Sequence, residues 1–191
     1  MTVTVHKLQI ALDSEASTVQ SALTRLSLEA DTQTTAGLWQ LLQRVVRSLL
    51  EHTHFWTHAT TFSRTFEESN EAQAFFDLLS VEERSKFSAE TLTNIDGYIT
   101  QTPPPATIES GSPAYIVVTL LVGTDGDWLR WDRRDDTPLS TSQLTQQLET
   151  LARMPAESLA ILELLWSPQT ATDSLSAEEM SAQYADLLEI V

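Results

Sequence analysis

The sequence predicts a single α+β domain: a mixed β-sheet with helices packed on it, spanning residues 1–191. Three observations lead there. Residues 3–12 (VTVHKLQIAL) alternate in the period of a strand, and 114–122 is an unbroken apolar run suited to a sheet interior. Between and after them lie helical stripes, apolar residues recurring at i, i+3, i+4 and i+7. The expected order is β-α-α-(β)-α-α-β-α-β-α.

The first strand places Leu8, Ile10 and Leu12 on one face; Val3 and Val5 fall out of that phase, which predicts a bulge or a frayed start. From Asp13 or Ser14 the period changes, and Val19, Ala22, Leu23 and Leu26 mark a helix. A polar break over 31–35 introduces a second helix, with Leu38, Leu41, Leu42, Val45 and Leu49 in its stripe, running to about His52. The two helices form a hairpin. The aromatic and Thr-rich stretch 54–61 reads as a short strand.

Four segments match the capping box, in which a hydroxyl accepts an orphan helical N–H and an acid or amide three residues on reaches back. Thr65-Phe-Glu-Glu68 and Ser80-Val-Glu-Glu83 predict helices over about 66–79 and 81–94. Ser140-Thr-Ser-Gln143 predicts one over 141–153 with Leu144, Leu148 and Leu151 on one side, and Ser176-Ala-Glu-Glu179 a last one with Met180, Tyr184, Leu187 and Leu188. Prolines crowd the stretch 100–113, which therefore reads as a surface loop. Strand 114–122, helix 141–153 and strand 158–166 together suggest a right-handed crossover joining parallel strands.

Composition narrows function. The formal net charge is −16 and only Lys7 and Lys86 are lysines, which leaves no basic stripe for nucleic acid or an anionic leaflet. Without cysteine there is no disulfide framework, thiolate nucleophile or thiolate metal site. Met1 leads straight into the first strand, with no targeting signature, so the expectation is a soluble, cytoplasmic protein. The five glycines form no phosphate-binding pattern, and no G-x-S-x-G elbow is present. No cofactor and no enzymatic activity are expected.

Some residues still carry chemistry. His52, His54 and His58 are a candidate metal set: 54 and 58 share a face on a helix, and all three share one on a strand. The alternative is that they are partly exposed at a helix end, where a cation suits the dipole. Asp125, Asp127, Asp132, Asp135 and Asp136 offer oxygen ligands without EF-hand spacing, and read as a solvated turn. Glu163 interrupts an apolar run: either a buried carboxyl of raised pKa or an edge position where it reaches water. Trp128 and Trp131, with Arg133 and Arg134 beside them, are interface candidates, with packing over the sheet edge as the alternative.

Several blocks in order along the chain resemble one family. They are KLQIAL at 7–12, ADTQTTAGL at 30–38, LLEH with Phe55-Trp56 at 49–56, LLSVEERSKFSAETL at 78–92, AYIVVTLLVG at 114–123, and LAILELLWSPQ through AEEMSAQYADL at 159–187. They resemble the cyanobacterial and plastid family of domain of unknown function 1517, which includes fluctuating-light acclimation proteins. Two details depart from the family pattern: its closing Tyr-Pro is Tyr184-Ala185 here, and of the three histidines only His52 fits. The resemblance implies no catalytic residues. It implies a photosynthetic cell and a thylakoid connection, without a reaction. The function expected is that of a non-catalytic regulatory or assembly factor acting through protein partners, the alternative being an enzyme or a small-ligand sensor with a site not recognisable from sequence. Any hold on the thylakoid membrane would be peripheral and protein-mediated, without direct lipid binding.

Overall fold

The structure is a computed structural model of the chain. It describes residues 2–87, 92–95, 98–101, 114–126, 129–131, 137–170 and 173–191, with the backbone alone for 92–95 and 98–101. The α+β class holds. The chain runs through β1 (Val3–Asp13), α1 (Ser17–Glu29), α2 (Thr35–Glu51), β2 (Trp56–Phe66) and α3 (Ser69–Ser85). A small hairpin of β3 (Leu92–Ile95) and β4 (Tyr98–Gln101) precedes β5 (Ala114–Asp125) and α4 (Thr141–Ala152). Then come β6 (Leu159–Ser167), β7 (Leu175–Ser176), α5 (Ala177–Gln183) and β8 (Leu188–Glu189).

The main sheet has the order β6-β5-β1-β2-β8, with β7 also paired to β5. Every pairing in it is antiparallel, so the expected mixed sheet and parallel crossover give way to an antiparallel one. The reason lies in the connection between β5 and β6. Gly126 leaves β5 at one end of the sheet, where its N–H donates to Thr2 O. Leu139 stands at the other end, where its carbonyl accepts from Val191 N–H. The residues before α4 have thus crossed the sheet once and α4 crosses back, so β6 starts beside the end of β5. The periodic helix was visible in sequence; the aperiodic traverse was not.

β1 is the central strand and both of its faces are covered. Leu8, Ile10 and Leu12 join the main core with Val19, Leu23, Leu42, Val45, Leu49, Leu144, Leu148 and Leu151, under α1, α2 and α4. Val5 is in register and belongs to a second cluster on the opposite face, with Phe66, Ala72, Phe76, Leu79, Leu121 and Leu165. Ala11 lies on that same face in a third cluster with Val117, Leu175, Met180, Tyr184 and Leu187. Neither a bulge nor a frayed start is needed near Val3 and Val5, because the register with β2 is unbroken from Val3 to Ala11.

The capping boxes at Ser140 and Ser176 both form, each with the hydroxyl accepting the third residue's N–H and that residue's side chain returning to the cap. The other two do not. Thr65 lies in β2, its Oγ1 3.1 Å from that of Thr4, and α3 starts after Glu68 with no side-chain cap. Ser80 sits inside α3, which runs unbroken to Ser85 where two helices were expected. The expected strand 54–61 is longer and later, at Trp56–Phe66. Most of the Pro-rich stretch, 102–113, lies outside the described residues.

Candidate functional site

The alternation of β1 that sends Leu8 into the main core sends Lys7 and Gln9 to the other face. There Leu121 stands directly opposite Lys7 and Thr119 opposite Gln9 on β5. The C-terminal turn of α3 crosses above them and lowers Glu83 between the second and third apolar clusters. Lys7 Nζ donates to Glu83 Oε1 at 3.1 Å, and Lys86 Nζ donates to the same oxygen at 2.8 Å. Gln9 Nε2 donates to Glu83 Oε2 at 2.8 Å and to Thr119 Oγ1 at 2.9 Å. The chain's two lysines therefore meet on one carboxylate whose side chain is 1% exposed.

Neighbouring groups extend this polar seam. Lys86 Nζ lies 4.7 Å from the ring centre of Tyr184. Burial first, and then the Glu83 charge, push the Tyr184 phenol well above its ordinary value, against a hydrogen bond with Ser167 that pulls it down. Arg84, one residue after Glu83, reaches Glu163 on β6 and donates from Nε to Oε1 at 2.9 Å. Glu163 is thus neither an isolated buried carboxyl nor a free edge group but half of an ion pair between α3 and the sheet. In chemical terms the seam is a set of charge-assisted donors closed on two carboxylates, which orients α3 over the sheet.

A second polar group lies on the main-core face. His6 Nδ1 is 2.7 Å from Ser63 Oγ, and Nε2 is 3.0 Å from Thr124 Oγ1, so the ring bridges β2 and β5 across β1. Burial lowers its pKa from 6.5 to about 4, which keeps the imidazole neutral at physiological pH. Trp131 packs edge-on to it with ring centres 5.3 Å apart, and the Trp131 backbone N–H donates to Ser63 Oγ at 3.0 Å.

The residues singled out in sequence are placed differently. Trp131 takes the packing alternative: it is buried in the main core. Trp128, Arg133 and Arg134 lie outside the described residues, as do Asp127, Asp132, Asp135 and Asp136. His52 ends α2, with Nδ1 2.7 Å from Ser48 O; His54 sits in the following turn against Phe55; His58 is on β2 against Tyr115. The structure thus brings two of the three together, the rings of His52 and His54 stacking with centres 6.2 Å apart, while His58 packs against Tyr115 on β2. Among the described residues no group of three or more His, Asp or Glu side chains is placed to hold a metal ion. Burial lowers the His58 pKa, with Glu189 across the strand pair raising it.

Sequence reasoning passed over Lys7, Gln9, Glu83 and His6. A signal existed for His6, which is in phase with Leu8 and Ile10 and so belongs to the core face. Thr119 inside an otherwise apolar strand was a second clue, since a buried hydroxyl needs a partner.

Fold and site together define a small domain whose central strand is buried on both faces and whose buried charges, Lys7 and Glu83, are paired with each other. Over residues 2–190 the chain matches the family described as protein of unknown function (DUF1517), and it belongs to that family. It is 31% identical over 191 residues to "Protein FLAP1 homolog A" of Synechocystis sp., covering 96% of this chain and 56% of that relative. It is 30% identical over 181 residues to "FLUCTUATING-LIGHT-ACCLIMATION protein 1, chloroplastic" of Arabidopsis thaliana, covering 94% of this chain and 45% of that one. The chain spans about half the length of these curated relatives. No solved structure matches it. No helix among the described residues is long and apolar enough to cross a membrane.

Proposed function

We propose that the chain is a non-catalytic regulatory or assembly factor in photosynthetic light acclimation, acting through protein partners. The observation that carries this reading is the similarity, over 94% or more of the chain, to two proteins of which one is named for acclimation to fluctuating light. The seam supports it, since the described charges at Glu83 and Glu163 are spent on holding α3 to the sheet. In this reading the protein is cytoplasmic and its association with thylakoids is peripheral and carried by protein contacts. The test is deletion of its gene in the cell that makes it, followed by growth under constant and under rapidly alternating light. A defect confined to alternating light, restored by the wild-type gene, supports the reading; equal growth of deletion and parent in both regimes refutes it.

An enzymatic reading has one observation in its favour, the 2.7 Å approach of Ser63 Oγ to a neutral imidazole, which is the spacing of an activated nucleophile. A fluorophosphonate probe decides it. Labelling of Ser63 that is lost in His6→Gln would replace the non-catalytic reading, and an unlabelled Ser63 retains it.

A further inference from the structure

Helix α3 carries two stripes at the same spacing. The inner one, Ala72, Phe76, Leu79 and Glu83, is buried on the sheet. The outer one, Ala74, Leu78, Val81 and Ser85, is exposed, and it follows the 4-3-4 spacing with which one helix packs along another. At 100° per residue the outer four fall within about 60° of one another on the far side of the helix. Leu78 is 60% exposed and Val81 66%. A solvated helix face has no need of two large aliphatic side chains one turn apart.

The helix's own charges on this face have one sign, while Arg64 of β2 lies over Phe75 at one flank, 5.1 Å from its ring centre. Glu71 precedes it by one turn, and Asp77 and Glu82 take the flanking positions on either side; all three are exposed. The one basic residue of the helix, Arg84, is turned to Glu163. In helix pairing the flanking charges choose the partner, and like charges set opposite each other penalise the wrong one. A second copy of α3 in parallel would put Asp77 opposite Glu82.

We propose that the outer face of α3 docks an amphipathic helix of a partner protein, with an apolar stripe at heptad spacing flanked by Lys and Arg. This rests on the reading that the protein acts through protein contacts, and says which surface does so. The stripe from Ala74 to Ser85 is three turns, about 16 Å long at about 1.5 Å per residue, so the contact is small, weak and reversible. Part of its strength is electrostatic and falls with salt.

The experiment uses the full chain, labelled with nitrogen-15, and two synthetic three-heptad peptides. Both have Leu at the seam positions; one has Lys at the flanking positions and the other Glu. The Lys-flanked peptide should shift the amide resonances of 74–85, bind at least tenfold more weakly at 300 mM than at 50 mM salt, and lose binding to Leu78→Glu/Val81→Glu. The Glu-flanked peptide should leave the spectrum unchanged. Both substitutions are on the surface, so circular dichroism of the double variant should match wild type. Equal binding of the Lys-flanked peptide by the double variant overturns the proposal. So does no binding, or wild-type self-association in sedimentation that the double variant abolishes, or flotation of wild type but not the variant with phosphatidylcholine vesicles. Failure here is separable from failure of the functional reading. A double variant that fully restores growth of the deletion strain in alternating light removes the docking face and leaves the reading standing.

Discussion

Replacing Glu83 by Gln is the most informative single change in the fold. The carboxylate compensates two ammonium groups at 3.1 and 2.8 Å, and the side chains of Lys7 and Lys86 are only 8% and 15% exposed. Glutamine keeps the shape and the ability to accept from Gln9, but it strands two like charges beneath α3. Removing one partner of a buried ion pair costs about 3–5 kcal/mol, because the remaining charge is left desolvated. For a chain of this length, at about 2–4 °C per kcal/mol, the melting temperature should fall by roughly 6–20 °C. Lys7→Met is the matched control: it leaves one ammonium on one carboxylate and should cost clearly less than Glu83→Gln. In the double variant only Lys86 is stranded, and it can turn toward solvent, so the two penalties should be less than additive. Urea unfolding followed by tryptophan fluorescence measures all three. A Glu83→Gln variant that loses less stability than Lys7→Met would refute the carboxylate as the hub.

Three further outcomes follow from the same geometry. His6 has a folded-state pKa of about 4 against 6.5 unfolded, so the unfolded chain takes up a proton that the folded one refuses; stability is full above pH 6.5 and falls as pH drops toward 4, by about 3 kcal/mol at about 1.4 kcal/mol per unit. Urea titrations at pH 7 and pH 4.5 should show a smaller drop in His6→Gln than in wild type, and an identical drop would contradict the assignment. A Cβ on Gly123 would stand 2.5 Å from Ile161 Cγ2, so Gly123→Ala should lose about 1–3 kcal/mol in thermal melts, and Ile161→Ala in the same chain should recover part of it. With net charge −16 and both lysines engaged at Glu83, the protein should not float with protein-free anionic liposomes at low salt, where repulsion is least screened; co-migration would show direct lipid binding.

What could be read from the sequence was whatever depends on near neighbours. The stripe Leu41, Leu42, Val45 and Leu49 placed α2, and the boxes at Ser140 and Ser176 placed two helix starts, because cap and helix lie within four residues. The box at Ser80 misled for the same reason. Its Glu does not reach back to a cap but forward in space to Lys7, 76 residues earlier in the chain, and only the fold brings them together. Antiparallel pairing of β5 and β6 was equally invisible, since it is decided by a traverse without periodicity. The candidate site was hidden by the assumption that an alternating strand has one wet face. In β1 both faces are dry, so Lys7 and Gln9 read as solvent-facing when they are buried.

The seam also bears on which face α3 shows to solvent. Apolar contacts are non-directional, and Ala72, Phe76 and Leu79 alone would tolerate some roll of the helix about its axis. Charge-assisted hydrogen bonds tolerate little. A roll of one residue, 100°, would take Glu83 off Lys7 and Gln9 and Arg84 off Glu163, leaving buried charges unpaired on both the helix and the sheet. The polar contacts at the end of the inner stripe therefore fix the rotation of α3, and with it the outward position of Leu78 and Val81 half a turn away. A variant that loosens the hub while keeping the fold, such as Lys7→Met, should thus weaken binding of the Lys-flanked peptide although residue 7 lies on the opposite side of the helix from it. Unchanged affinity in that variant would mean that the apolar inner stripe alone sets the orientation.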